Sequence, residues 1–133
     1  RRVHELGADL VQIGIRSFSK EEDEFVKSTY NIQTFKNKDV HKHMDAIEYY
    51  LTNIGGPIYI SIDMDVLDPS IAPNVGNPVP CGLFVSELED IIRTLSHKNI
   101  VGFDVVETAS NRLGDSTAVV GAKLIYDFLT LIE

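Results

Sequence analysis

The run SIDMDVLDPSIAPNVGNPVPCGL, Ser61 to Leu83, decides how this chain is read. It begins inside PIYISID (Pro57 to Asp63), an apolar, β-branched stretch of strand length. From Asp65 to Gly82 the composition is that of a loop, with four prolines and two glycines. Asp63 and Asp65 sit at the junction. Side chains two apart in an extended strand share a face, so the spacing predicts both carboxylates aimed at one point. Two anions held this close repel, and a divalent cation taking oxygen from each relieves the repulsion. A metal site is the leading expectation.

Outward from this run, apolar stretches alternate with helical patterns. LVQIGI (Leu10 to Ile15) and IVGFDVV (Ile100 to Val106) read as buried strands, and Asn31 to Phe35 as a weaker one. Ser19 and Glu22 form a capping-box pattern that opens a short acidic helix within Ser17 to Glu24. Met44, Ile47, Tyr50 and Leu51 recur at helical spacing within Asp39 to Asn53, which Gly55-Gly56 stops. Ser86, with Glu89, is predicted to cap a helix through Leu95, and Asp115 or Ser116 one running to about Ile132. Strands apolar on both faces, alternating with helices, predict parallel βαβ units. The expected fold is α/β, a three-layer αβα arrangement with a mainly parallel sheet, in a single domain over residues 1–133. Chemistry in such folds sits beyond the carboxyl ends of the strands, where Arg16-Ser17, Asp63/Asp65 and Glu107 are predicted to converge.

At 133 residues the chain has the size of one domain, and 44% hydrophobic with 24% charged residues is a globular composition. A net charge of −8 disfavours nucleic acid and is compatible with a cationic substrate. One cysteine, Cys81, excludes an internal disulfide framework and fits a reducing compartment, with the cytoplasm as default. No apolar run approaches the roughly 18 residues of a membrane span, so no membrane partner is expected. The chain opens without Met, almost directly on a strand, and is expected to be cut from a longer polypeptide.

Two rival readings of the motif are weaker. A calcium loop fails because Leu67 takes a ligand position and Asp68 stands where glycine is required. A strand ending in DxDxVL also resembles the first motif of haloacid-dehalogenase-type phosphatases, with Asp63 as nucleophile and Asp65 as acid/base. Gly114-Asp115 faintly matches that family's late acidic motif, but Ala118, Val119 and Val120 fill the place of its second Asp.

The whole run fits another family. Ser61 to Asp65, Asp68-Pro69, Pro73, Gly76, Pro78 and Gly82 resemble the signature of the ureohydrolases: agmatinase, arginase, guanidinobutyrase and formimidoylglutamase. VQIGIRS (Val11 to Ser17) resembles the strand and turn that precede the site in agmatinase-type members. Val101 to Glu107 resembles the strand ending in a substrate-binding Glu, and Thr117-Ala118 fits the next helix start. The resemblance implies a manganese (Mn2+) pair bridged by carboxylates and a hydroxide. Asp63 would be the bridging ligand, Asp65 a ligand of one ion, and Glu107 the carboxylate that orients a guanidinium. It implies hydrolysis of a guanidino compound to urea and an amine. Agmatine to putrescine, a step of polyamine biosynthesis, is favoured over arginine or guanidinobutyrate. Homo-oligomers, trimers or hexamers, are usual in the family.

Departures from the pattern surround the substrate. Asn74 stands where glycine is usual, and its tolerance of left-handed backbone is expected to let the loop close. Val75, Asn77 and Cys81 replace Thr, Thr and Gly, and Thr108-Ala109-Ser110 lacks the usual proline. The family's Gly-Gly-Asp-His and Asp-Ala-His-x-Asp ligand segments do not occur in this sequence, and His4, His41, His43 and His97 read as surface residues. The chain therefore reads as the C-terminal portion of a ureohydrolase, expected alone to bind metal weakly and catalyse little. A non-catalytic relative is the alternative of a different class. Asp68 reads as a turn-former and Cys81 as packing. Loop capping by Asp63 and Asp65, and a surface role for Glu107, are the plain alternatives to a site.

Overall fold

The structure, a computed structural model, describes residues 2–131, so Ile132, the expected helix end, lies outside the described residues. Two compact units are present, Arg1–Met44 and Asp45–Glu133. In the first, α1 (Arg2–Glu5) is a single turn carrying an Arg2–Glu5 ion pair at 3.0 Å, ahead of the strand expected there. Strands β1 (Leu10–Ile15) and β2 (Ile32–Lys36) pair in parallel from Leu10↔Ile32 to Ile13↔Phe35. Between them α2 (Lys20–Ser28) opens on the expected capping box. Ser19 Oγ accepts from Glu22 N at 3.1 Å, and Ser19 N donates to Glu22 Oε2 at 2.7 Å. Helix α3 (Asn37–Asn53), of which Asp45 onward belongs to the second unit, is interrupted at His43, whose φ −138° and ψ 39° are non-helical.

The second unit holds most of the buried side chains. Strands β3 (Ile58–Asp63) and β4 (Ile100–Val106) pair in parallel, with Ser61 opposite Asp104 and Asp63 opposite Val106. Strands that the sequence presents as apolar on both faces alternate in β3: Tyr59, Ser61 and Asp63 are exposed while Ile62 is buried. Polar bonds fill the exposed face, Tyr59 Oη donating to Asp104 Oδ2 at 2.9 Å and Ser61 Oγ to Asp104 Oδ1 at 2.7 Å. Helices α4 (Val85–Leu95) and α5 (Ser116–Leu131) bury Leu88, Ile91, Ile92, Leu95, Leu124 and Phe128. The Phe128 ring meets Phe103 at 4.2 Å between centroids. Helix α4 starts ahead of the predicted Ser86 cap. Phe84 is the N-cap, and Glu87, not Glu89, reaches back to accept Phe84 N at 2.8 Å. Leu83 explains the shift: it is fully buried and already backbone-paired, so the chain turns into helix directly after it. At α5 Asp115 is the cap, its Oδ1 accepting from Thr117 N at 2.9 Å and Ala118 N at 3.2 Å. No helix among the described residues is long and apolar enough to cross a membrane.

The loop after β3 is closed at its base. Leu83 N donates to Val66 O at 2.9 Å and Asp68 N to Leu83 O at 3.0 Å, returning the chain beside its own exit. Asp68 staples this closure as a turn-former. Its Oδ1 accepts Ser70 Oγ at 2.6 Å and Ser70 N at 3.0 Å, and its Oδ2 accepts Gly82 N at 3.0 Å. The Ser70 hydroxyl, then the Ser70 and Gly82 N–H groups, outweigh desolvation and lower the carboxyl to about 2. A Cβ on Gly82 would overlap the backbone of Leu67 and Asp68, which makes glycine necessary there. Cys81, read as packing, is instead exposed and left-handed at φ 62°, a geometry in which the usual glycine would be unstrained. Asn74 is not left-handed; among the described residues, those that are, besides glycines, are Cys81 and Glu107.

Phe128→Ala is expected to cost about 3–5 kcal/mol in denaturant unfolding of the full-length protein. Tyr126→Ala, at an exposed position of the same helix, should change stability by less than about 0.5 kcal/mol. Because the folded Asp68 carboxyl titrates below its ordinary 3.8, its contribution is complete above that pH and lost as pH falls through about 2. A carbon-13 titration should place the Asp68 midpoint near 2, and a midpoint at 3.8 would contradict the staple. Asp68→Asn should make the 69–82 loop more protease-sensitive at neutral pH.

Candidate functional site

The carboxyl end of β3 does not continue as the extended strand that the Asp63/Asp65 spacing implies. The chain turns at once into a 3-10 turn, Met64–Val66, with Asp63 as its N-cap. Asp63 Oδ1 accepts Asp65 N at 2.8 Å, the short-range bond that asparagine and aspartate favour in turns. Strand alternation therefore does not relate the two carboxylates; the chain turns between them, and the Asp63 carboxylate is held on the Asp65 N–H. Met64 between them is fully buried, 3.7 Å from the Cβ position of Gly121 on α5, which anchors the turn to the core. The capping role weighed for Asp63 is real.

Asp65 is tied to a second segment, with Oδ2 accepting Asn77 N at 2.9 Å. That segment also meets the end of β4. Val75 pairs antiparallel with Thr108, and Ala109 N donates to Asn74 O at 3.0 Å. Glu107 lies between, with φ 62°, a left-handed conformation that is uncommon for a side chain of its size and typical of constrained sites. A Cβ built on Gly76 would lie 2.5 Å from Glu107 Oε2, so the glutamate tip rests over the glycine. Gly76 and Asn77 thus form one corner that contacts both Glu107 and Asp65. This corner could not be read from the sequence, since its bonds span a loop and two strand ends.

Of the remaining candidates, Arg16, Ser17, His4, His41 and His43 belong to the first unit, and His97 follows α4. Arg16 and Ser17 follow β1 in that unit. His41, His43 and His97 are exposed, as expected. His4 departs from its surface reading: it is half-buried, with its ring edge-on to Phe25 at 6.0 Å between centroids. A groove of about 580 Å³ in the first unit is lined by Phe18, Phe25, Val26 and neighbours, and includes none of the corner residues.

Carboxylates such as those of Asp63 and Asp65 suit a hard divalent cation in kind, as part of a ligand set. They do not complete one. Among the described residues no three His, Cys, Asp or Glu side chains group closely enough to hold a metal ion.

A family model described as the arginase family matches residues 1–130. The chain is 42% identical over 134 residues to an uncharacterized 32.2 kDa protein of Methanothermus fervidus, covering 100% of this chain and 47% of that one. It is 39% identical over 127 residues to the N(1)-aminopropylagmatine ureohydrolase of Thermococcus kodakarensis, covering 95% and 43% respectively. Its structure matches the agmatine ureohydrolase of Thermoplasma volcanium with a TM-score of 0.83 at 35% identity, over 92% of this chain and 42% of that one. The chain spans less than half the length of these relatives. The phosphatase alternative has no place in this match, and Asp115, which it enlisted, is a helix cap. The fold is the expected α/β arrangement of parallel strands flanked by helices. With matches in sequence and in structure agreeing over nearly its whole length, the chain belongs to the arginase family.

Proposed function

We propose that residues 1–133 are the C-terminal part of one ureohydrolase domain, and that the whole protein hydrolyses a guanidino compound to urea and an amine. The observation that carries this is the Gly76–Asn77 corner, with Asp65 bonded to one residue and Glu107 resting over the other. Asp63 and Asp65 would hold divalent cations, manganese by family resemblance, together with ligands this chain does not supply. The chemistry such cations supply when bound is Lewis-acid activation of the attacking water. Glu107 would pair with the guanidinium through two charge-assisted hydrogen bonds and fix its carbon for attack. The net charge of −8 favours approach of a cationic substrate.

Agmatine is the favoured substrate, because Val11 to Ser17 resembles the agmatinase branch; arginine and guanidinobutyrate follow. The likeness to an aminopropylagmatine enzyme adds a longer guanidino amine to the panel. A cytoplasmic location, a place in putrescine formation and assembly into trimers or hexamers belong to the same proposal. The scaffold alternative holds if the full-length protein lacks the Gly-Gly-Asp-His and Asp-Ala-His-x-Asp segments.

The test is urea release by the full-length protein, with and without manganese, over those four substrates. No release from any of them with manganese present would sink the enzyme reading. Asp65→Ala should lose one metal and most activity while the fold persists, and metal analysis that finds both ions retained would refute its ligand role. Gly76→Ala should push the Glu107 carboxylate aside, raising KM about ten- to hundredfold with little change in thermal midpoint.

A further inference from the structure

We propose that the Asn74–Asp115 pair is a positioning device that pins the Gly76–Asn77 corner and, through it, the carboxylates of Asp65 and Glu107. It rests on the guanidine-hydrolysing function proposed above. Asn74 is held through three of its groups. Its N–H donates to Thr117 Oγ1 at 3.0 Å, its C=O accepts Ala109 N at 3.0 Å, and its side-chain amide donates to Asp115 Oδ2. Thr117 is fully buried, so the first of these anchors is rigid. Asp115 is fixed in turn by its other oxygen, which takes the Thr117 and Ala118 N–H groups at the start of α5.

One carboxylate thus caps a helix and grips a loop. Desolvation pushes the Asp115 carboxyl up, but bonds from Ala118, Asn74 and Thr117 prevail and hold it below the ordinary range. It is therefore an ionised acceptor at neutral pH. Within the same short segment, Gly76 lies under Glu107 and Asn77 N holds Asp65. Displacing either carboxylate by about an ångström would cost on the order of a hundredfold in rate. A glycine at position 74 would have no side chain to reach Asp115, so the grip depends on the Asn74 amide itself.

The test separates the two tasks of Asp115 in the full-length protein. Asp115→Ser keeps an oxygen to cap α5 and removes the Asn74 acceptor; Asn74→Ala removes the donor. Each variant should keep a thermal midpoint near the parent's. Each should speed amide exchange at Asn77 and Ala109 about tenfold and lower kcat/KM on the order of ten- to hundredfold, mainly through KM. The double variant should be no worse than either single one, as a shared contact requires. Unchanged exchange at Asn77 and Ala109 overturns the proposal. So does faster exchange confined to α5, with losses that add in the double variant, since a cap alone would produce that. Exchange is read without substrate or metal. A parent that releases no urea would sink the proposed function, while the exchange result would still decide whether the pair pins the corner.

Discussion

The parallel register of β3 and β4 is the constraint from which the site follows. With Asp63 opposite Val106, both strands end at the same level, and Glu107 leaves β4 beside the turn that starts at Asp63. A slip of one residue would invert the faces of the strand and carry Asp63 away from that edge. Two things resist such a slip. Ile62 is buried, and Asp104 receives hydroxyl bonds from both Tyr59 and Ser61 across the ladder. The bond from Tyr59 also raises its hydroxyl above the ordinary pKa, chiefly because the Asp104 carboxylate accepts that hydrogen bond.

Four aspartates of the second unit hold the loop and the turn that leads into it. Asp68 closes the base of the loop, and Asp115 grips its middle from the start of α5. Asp63 caps the turn, and Asp65 binds Asn77. Each of these four carboxylates accepts a backbone N–H, so its charge is matched locally by backbone donors. Proline supplies further stiffness, since four of the five prolines of the chain fall between Asp65 and Gly82. A loop held in this way can keep two carboxylates oriented at little further entropic cost.

Much of this was legible in the residues. The apolar runs at Leu10, Ile58 and Ile100 form strands, each paired in a parallel ladder, and the Ser19/Glu22 box caps its helix. The misses share a cause: a local pattern was overruled by a contact distant in sequence. Ser86 was a good cap, yet the paired and buried Leu83 had already placed the helix start. Asp63 and Asp65 were expected to share a strand face, but the buried Met64 is drawn toward α5 and the chain turns. The Asn74–Asp115 bond joins residues 41 apart, beyond the reach of any periodicity. The family resemblance supplied roles for Asp63, Asp65 and Glu107 that spacing alone could not, because a carboxylate at a strand end is as often a cap as a ligand.

The central proposal is that Asp63 and Asp65 would be the share of a cation site contributed by this part of the protein, with Glu107 facing it. Anomalous diffraction at the manganese edge, on crystals of the full-length protein soaked in manganese, measures this directly. The account expects anomalous peaks within about 2–2.5 Å of carboxylate oxygens of both Asp63 and Asp65. Peaks elsewhere in the molecule, or none at these two residues under saturating metal, would contradict it.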